Sequence, residues 1–185
     1  MKKIFAMLLA VCLLLSLAAC GGKTNKPATD PTTAPAQTVT NVEGTMEELL
    51  NKIVEIQPVE FMGGTMPIDL TDTSEDGLAN LKYNVGLDNA DNITDAAVFG
   101  PMMGSIAYSM VTVRVKEGAD VAAVAEAMKT GIDPRKWICV EADDVQVVSY
   151  GDVVMLIMVS SENGLTSQSY VDAFAEVCGG DVTTH

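Results

Sequence analysis

One apolar run constrains the fold of this chain more than any other segment. Residues Val153–Val159 read Val-Val-Met-Leu-Ile-Met-Val, a β-rich sequence that predicts a central strand of a sheet. The run follows Gly151 and Asp152, a pair suited to a tight hairpin turn with glycine first, and a second β-rich segment at residues 145–150. The sequence therefore predicts two adjacent antiparallel strands joined by that turn.

Amphipathic helices are predicted in three places. Their apolar residues recur with helical spacing, and the helices begin at Thr45, after Asp120 and near Ser167. Thr45 and Glu48 form a capping-box pattern, so the first helix should extend from Thr45 to about residue 56. Gly131 is expected to end the second helix in a left-handed conformation.

A further strand is predicted at residues 105–116. Val111 and Val113 share one face of this segment, whereas Thr112 and Arg114 share the other. A strand with one apolar and one polar face is typically half-buried, with the polar face toward water.

The remaining strand patterns are weaker. Short strands are expected at residues 83–87 and 96–99, and residues 61–81 read mainly as loop, with room for a short helix from residue 76. Together the elements predict an α+β fold in a single domain, with an antiparallel sheet and helices packed mainly on one of its faces.

The N-terminal segment has the profile of an export signal. Two lysines precede an apolar stretch at residues 4–17, which ends in Leu17-Ala18-Ala19-Cys20. This tetrapeptide resembles the lipobox of bacterial lipoproteins. The resemblance implies cleavage between Ala19 and Cys20 and a diacylglyceryl group on Cys20, which would anchor the protein to the extracytoplasmic face of a cell membrane. The alternative is an uncleaved membrane span, for which the apolar stretch is barely long enough.

The composition of the chain after the signal peptide predicts two parts, a tether and a domain. After the signal peptide at residues 1–19, residues 20–44 are dominated by Thr, Pro and Ala and are expected to form a disordered tether, and residues 45–185 form one acidic domain. The formal net charge is −14, and the exported part is more acidic still because the signal carries two lysines. This charge argues against nucleic-acid binding and would attract cations or basic partners.

No catalytic, cofactor-binding or metal-binding motif is evident. His185 is the last residue and the only histidine, so no Ser-His-Asp triad and no histidine metal cluster is expected within the domain. Carboxylates cluster in three places, at Asp69, Asp72, Glu75 and Asp76, at Asp88, Asp91 and Asp95, and at Glu141, Asp143 and Asp144. The second cluster lacks the spacing of an EF-hand, so solvated loops are expected rather than a calcium site.

Two other features leave alternatives open. Cys139 and Cys178 are the cysteines of the domain, and either one disulfide or two buried thiols would fit an exported protein. Trp137, with Arg135 and Lys136 beside it, is the one aromatic-basic spot on an acidic chain. It is either the edge of the core or a contact site.

The order of these elements resembles a known family. The segment Ile-Ala-Tyr-Ser-Met-Val-Thr-Val-Arg-Val at residues 106–115, the following helix, Arg135 and the strand Val153–Val159 are similar to an uncharacterised domain family of clostridial-type Firmicutes surface lipoproteins. Members often carry an Asp-Glu pair where this chain has Gly104 and Ser105. The resemblance implies a location and a fold, and it implies no activity.

These observations favour a surface lipoprotein whose domain binds an extracellular protein or a small ligand without catalysis. The alternative is a cell-envelope enzyme that uses paired carboxylates on a glycan or another wall substrate. A third hypothesis is a spacer within a larger envelope complex.

Overall fold

The computed structural model describes residues 41–185, which contain six strands and four α-helices. The elements are α1 (Met46–Ile56), β1 (Gly63–Pro67), α2 (Glu75–Val85), β2 (Ile93–Pro101), β3 (Tyr108–Val115), α3 (Val121–Gly131), β4 (Asp144–Tyr150), β5 (Val153–Val159), α4 (Ser167–Cys178) and β6 (Thr183–Thr184). The predicted signal peptide, Cys20 and residues 21–40 of the predicted tether lie outside this range. None of the helices in residues 41–185 is long and apolar enough to cross a membrane.

The strands form one antiparallel sheet in the order β1-β2-β3-β5-β4-β6. Strand β5 is central, as predicted, and all of its residues are buried. The predicted hairpin joins β4 to β5, and Gly151 occupies the left-handed region there, with φ 58°. The prediction of a single α+β domain with an antiparallel sheet is confirmed.

The helices cover both faces of the sheet and not mainly one. Helices α1 and α4 pack on one face, and α2 and α3 pack on the other. The reason is that β5 is apolar on both sides: Met155 and Ile157 face α1 and α4, whereas Leu156 and Met158 face α2 and α3. One layer of helices would leave half of these side chains in water.

Strand β3 is buried on both faces, so the prediction of a half-buried strand was wrong. Thr112 on the predicted solvent side is fully buried beneath α1, and its hydroxyl donates a hydrogen bond to the carbonyl oxygen of Met46 at 3.1 Å. A threonine that satisfies its hydroxyl in this way can occupy a core position.

Two acidic side chains fix the start of α1 and the chain that leads into it. Asp95 accepts a hydrogen bond from the backbone N–H of Met46 at 2.9 Å. Asp152 accepts one from the backbone N–H of Val42 at 3.0 Å and forms a 2.5 Å ion pair with Arg114. Arg114 in turn donates to the carbonyl oxygen of Gly44 at 2.7 Å. Residues 42–44 are thereby bound to the turn between β4 and β5.

Three local predictions differ from the structure. Residues 83–85 are the last turn of α2 and no strand, and this helix ends at Gly86 with φ 85°. Strand β1 lies within the predicted loop, at the edge of the sheet. Gly131 is the last residue of α3, but it has no positive φ, and Ile132 after it is extended with φ −77°, so the predicted left-handed end was wrong. Gly131 is required for a different reason: a Cβ there would lie 1.9 Å from the carbonyl oxygen of Gly86.

Candidate ligand-binding cleft

A cleft of about 520 Å³ lies at one end of the sheet. It is formed by the loop between β2 and β3, the connection from α3 to β4, and the turn after β5. The lining side chains that matter below are those of Arg135, Trp137, Glu141, Asp143, Ser160 and Glu162. Strand β3 starts and β5 ends beside this cleft, because Tyr108 pairs with Val159.

Ser160 is the most deeply placed polar group of the cleft. Only 7% of the residue is exposed, and its backbone N–H donates to the carbonyl oxygen of Ala107 at 3.0 Å. Its carbonyl oxygen accepts a hydrogen bond from the N–H of Asn163 at 3.1 Å. Its hydroxyl makes no hydrogen bond within residues 41–185 and is not fully buried, since the one fully buried side-chain polar atom without a partner in that range is the hydroxyl of Tyr170. Since most buried polar side chains are hydrogen-bonded, this hydroxyl is available to a bound molecule.

Two carboxylates beside the cleft hold the backbone. Asp143 accepts hydrogen bonds from the backbone N–H of Ser161, at 2.7 Å, and from its hydroxyl. These bonds lower the pKa of Asp143. Asp144 accepts two bonds from Ser167 at the start of α4, from the N–H at 2.8 Å and from the hydroxyl at 2.6 Å. Two of the three residues of the predicted third carboxylate cluster therefore stabilise a turn and a helix start.

Lys136 fixes the wall of the cleft from inside the protein. Its ammonium donates to the carbonyl oxygen of Tyr83 at 3.2 Å and to the hydroxyl of Ser109 at 3.1 Å. It also lies 4.8 Å from the ring centre of Tyr83 and 5.3 Å from that of Trp137. These contacts attach the segment that carries Trp137 to α2 and β3. Trp137 is thus both an edge of the core and a wall of the cleft.

Ser109 and Lys136 have the spacing of a nucleophile and its base, but their burial argues against that role. Ser109 is 2% exposed, so no substrate can reach its hydroxyl in this conformation. The hydroxyl of Ser109 is better explained as a hydrogen-bond partner of the half-buried ammonium of Lys136.

Burial lowers the pKa of Lys136 from 10.5 to about 8. The unfolded chain therefore binds more protons than the folded chain between these values, and the folded state gains stability as pH rises through this window. Because Trp137 is the only tryptophan of the chain, its fluorescence should change with a midpoint near pH 8. The Lys136→Met variant should lack this transition, and its persistence in that variant would contradict the assignment.

The two cysteines of the domain are free in this structure. Cys139 lines the cleft, is exposed, and is the one non-glycine residue within residues 41–185 with a positive φ, at 66°. Cys178 at the end of α4 is half-buried, and burial raises the pKa of its thiol to about 12. The thiol of Cys178 is therefore protonated at neutral pH and a poor nucleophile.

The other two carboxylate clusters meet at one small cavity, which is lined by Asp69, Asp72 and Asp91. Asp69 and Asp72 accept hydrogen bonds within their own loop, from Thr71 and Ser74. In the second cluster, Asp88 forms a 2.8 Å ion pair with Lys82, whereas Asp95 binds the start of α1. Within residues 41–185, no group of three or more histidine, cysteine, aspartate or glutamate side chains is arranged to hold a metal ion.

His185 contacts a serine, which its position in the sequence did not suggest. Pairing of β6 with β4 brings its Nε2 to 2.8 Å from the hydroxyl of Ser149. Burial and the nearby charge of Lys129 lower the pKa of His185. Ser149 is 8% exposed and lines none of the cavities described here, so this pair fastens the last strand to the sheet.

A second cavity, of about 510 Å³, lies at the opposite end of the sheet. Its lining includes Arg114 and Asp152, which are already paired with each other, and Glu117. The cleft beside Ser160 is therefore the stronger candidate for a ligand site. Neither a protein-family model, nor a curated protein, nor a solved structure matches this chain.

Proposed function

We propose that this protein is a lipid-anchored extracytoplasmic lipoprotein whose domain binds a ligand or partner in the cleft beside Ser160. The export signal and the tetrapeptide that ends in Cys20 support the anchor. The resemblance to Firmicutes surface lipoproteins supports the same location, and membership of that family is part of the proposal.

One observation carries the binding role: Ser160, a residue that is only 7% exposed, lines the cleft, and its hydroxyl has no hydrogen-bond partner within the described residues. Binding sites combine an apolar wall with a few polar groups that fix the orientation of a ligand. Here Trp137 supplies the wall and Ser160 supplies one such polar group.

The two aspartates beside the cleft do not support the enzymatic alternative. Glycan hydrolysis needs two carboxyl groups placed on either side of a scissile bond, one of them protonated. Asp143 is held ionised by the hydrogen bonds from Ser161, which lower its pKa. Both oxygens of the Asp144 carboxylate accept hydrogen bonds from Ser167 at the start of α4. A turnover assay with peptidoglycan fragments separates the hypotheses, since product formation would contradict a purely binding role.

Ligand binding can be tested with the full chain in non-ionic detergent. Calcium, peptidoglycan fragments and small metabolites should be screened by thermal stabilisation and by the fluorescence of Trp137. The Ser160→Ala variant should keep its unfolding temperature, because no internal hydrogen bond is lost, and it should bind the ligand more weakly. If the Ser160→Ala variant and the natural chain bind the ligand with equal affinity, this cleft is not the binding site.

The anchor predicts a large change in location on substitution of Cys20. In the Cys20→Ala variant no thiol can accept the diacylglyceryl group, so the domain should be released or its precursor should stay uncut. Fractionation of cells detects release of the domain, and the mass of the product shows whether the precursor was cut. A normally cleaved chain that stays on the membrane would refute the anchor.

A further inference from the structure

The charged groups of the cleft are mostly acidic. Three carboxylates line it, those of Glu141, Asp143 and Glu162, against the single guanidinium of Arg135. Arg135 lies 3.7 Å from Asp133 outside the lining, which offsets part of its charge. Because Asp143 is bound to Ser161, the free hydrogen-bond acceptors are Glu141 and Glu162, neither of which has a partner within residues 41–185.

The other cleft groups suit the same kind of ligand. The hydroxyl of Ser160 can accept a hydrogen bond, and the ring of Trp137 offers an apolar surface for a carbon chain. Lys136 does not compete for the acceptors, since its ammonium is occupied by Tyr83 and Ser109 and does not line the cleft. A ligand here would therefore meet acceptors and an apolar surface, and few donors.

We infer that the cleft binds a primary ammonium group attached to an apolar chain. The ammonium would lie between Glu141 and Glu162 and donate to Ser160, and its carbon chain would pack on Trp137. A small polyamine and the lysine side chain of a peptide share this chemistry. The inference rests on the proposed binding function and names the class of its ligand.

The test uses the full chain in non-ionic detergent and reads the fluorescence of Trp137. Four probes separate the sources and the chemistry: spermidine, a capped tripeptide with a central lysine, the same tripeptide with that lysine acetylated, and a neutral peptidoglycan disaccharide. Saturable binding of spermidine and of the lysine peptide, with the acetylated peptide at least about tenfold weaker, is expected. The tighter of the two amines identifies the source.

Matched variants distinguish the cleft from general attraction to an acidic protein. Glu141→Gln and Glu162→Gln should each weaken amine binding by about five- to tenfold. Glu117→Gln changes the net charge equally but lies in the cavity at the opposite end, so it should alter binding by less than about twofold.

The outcomes separate this inference from the proposed function. The ammonium site is overturned if the acetylated peptide binds as tightly as the lysine peptide. It is also overturned if Glu117→Gln weakens amine binding as much as Glu141→Gln and Glu162→Gln do. If only the disaccharide binds, and Ser160→Ala weakens that binding, the ammonium site is overturned but the cleft remains a binding site. If no probe and no compound of the wider screen binds, both fail.

Discussion

Replacing Arg114 with methionine should lower the free energy of unfolding by about 3 kcal/mol. The side chains of Arg114 and Asp152 are 19% and 13% exposed, so the substitution leaves a largely desolvated carboxylate without its cation. It also removes the hydrogen bond to Gly44. Chemical denaturation followed by circular dichroism measures the loss, and residues 42–44 should become accessible to proteases.

An exposed ion pair provides the matched control. The side chains of Lys82 and Asp88 are 43% and 83% exposed, so Asp88→Asn should cost less than about 0.5 kcal/mol. In a double-mutant cycle, Arg114→Met combined with Asp152→Asn should be less destabilised than the sum of the single variants. Additive losses would show that the two side chains act independently.

Gly131→Ala should destabilise the domain by about 2–3 kcal/mol, even though alanine favours helices. The added Cβ would lie 1.9 Å from the carbonyl oxygen of Gly86, and that oxygen belongs to backbone and cannot rotate away. Helices α2 and α3 would have to separate where their C-terminal ends meet. Thermal or chemical denaturation measures the effect.

Gly104→Ala is the control for this prediction. Nothing lies within 4 Å of a Cβ built at Gly104, so its substitution should change stability by less than about 0.5 kcal/mol. A stable Gly131→Ala variant would mean that α2 and α3 can move apart at little cost.

The sequence predicts the elements whose local pattern and packing agree. The capping box of Thr45 and Glu48 is present at the start of α1, and the apolar run Val153–Val159 is the central strand. Strand β1 was not predicted because Gly-Gly-Thr-Met-Pro has no alternation, and pairing with β2 places it in the sheet. The strand predicted at residues 83–87 was wrong because an alternating pattern over a few residues also fits the end of a helix.

The candidate site was only partly predictable. Trp137 and its basic neighbours stand out in an acidic sequence, and they line or support the cleft. Ser160 does not stand out, because its role depends on burial and on the lack of a partner, which only three-dimensional packing defines. The same holds for Gly131, whose requirement comes from contact with Gly86, 45 residues away in the sequence.

The segment before α1 and the cleft lie at opposite ends of the sheet. Residues 42–44 are bound beside Arg114, whereas the cleft adjoins Tyr108, about 20 Å away along the same strand. A tag, a solid support or a fused protein attached ahead of residue 42 would therefore leave the mouth of the cleft unobstructed. Protein immobilised from that side would keep the cleft facing the solution.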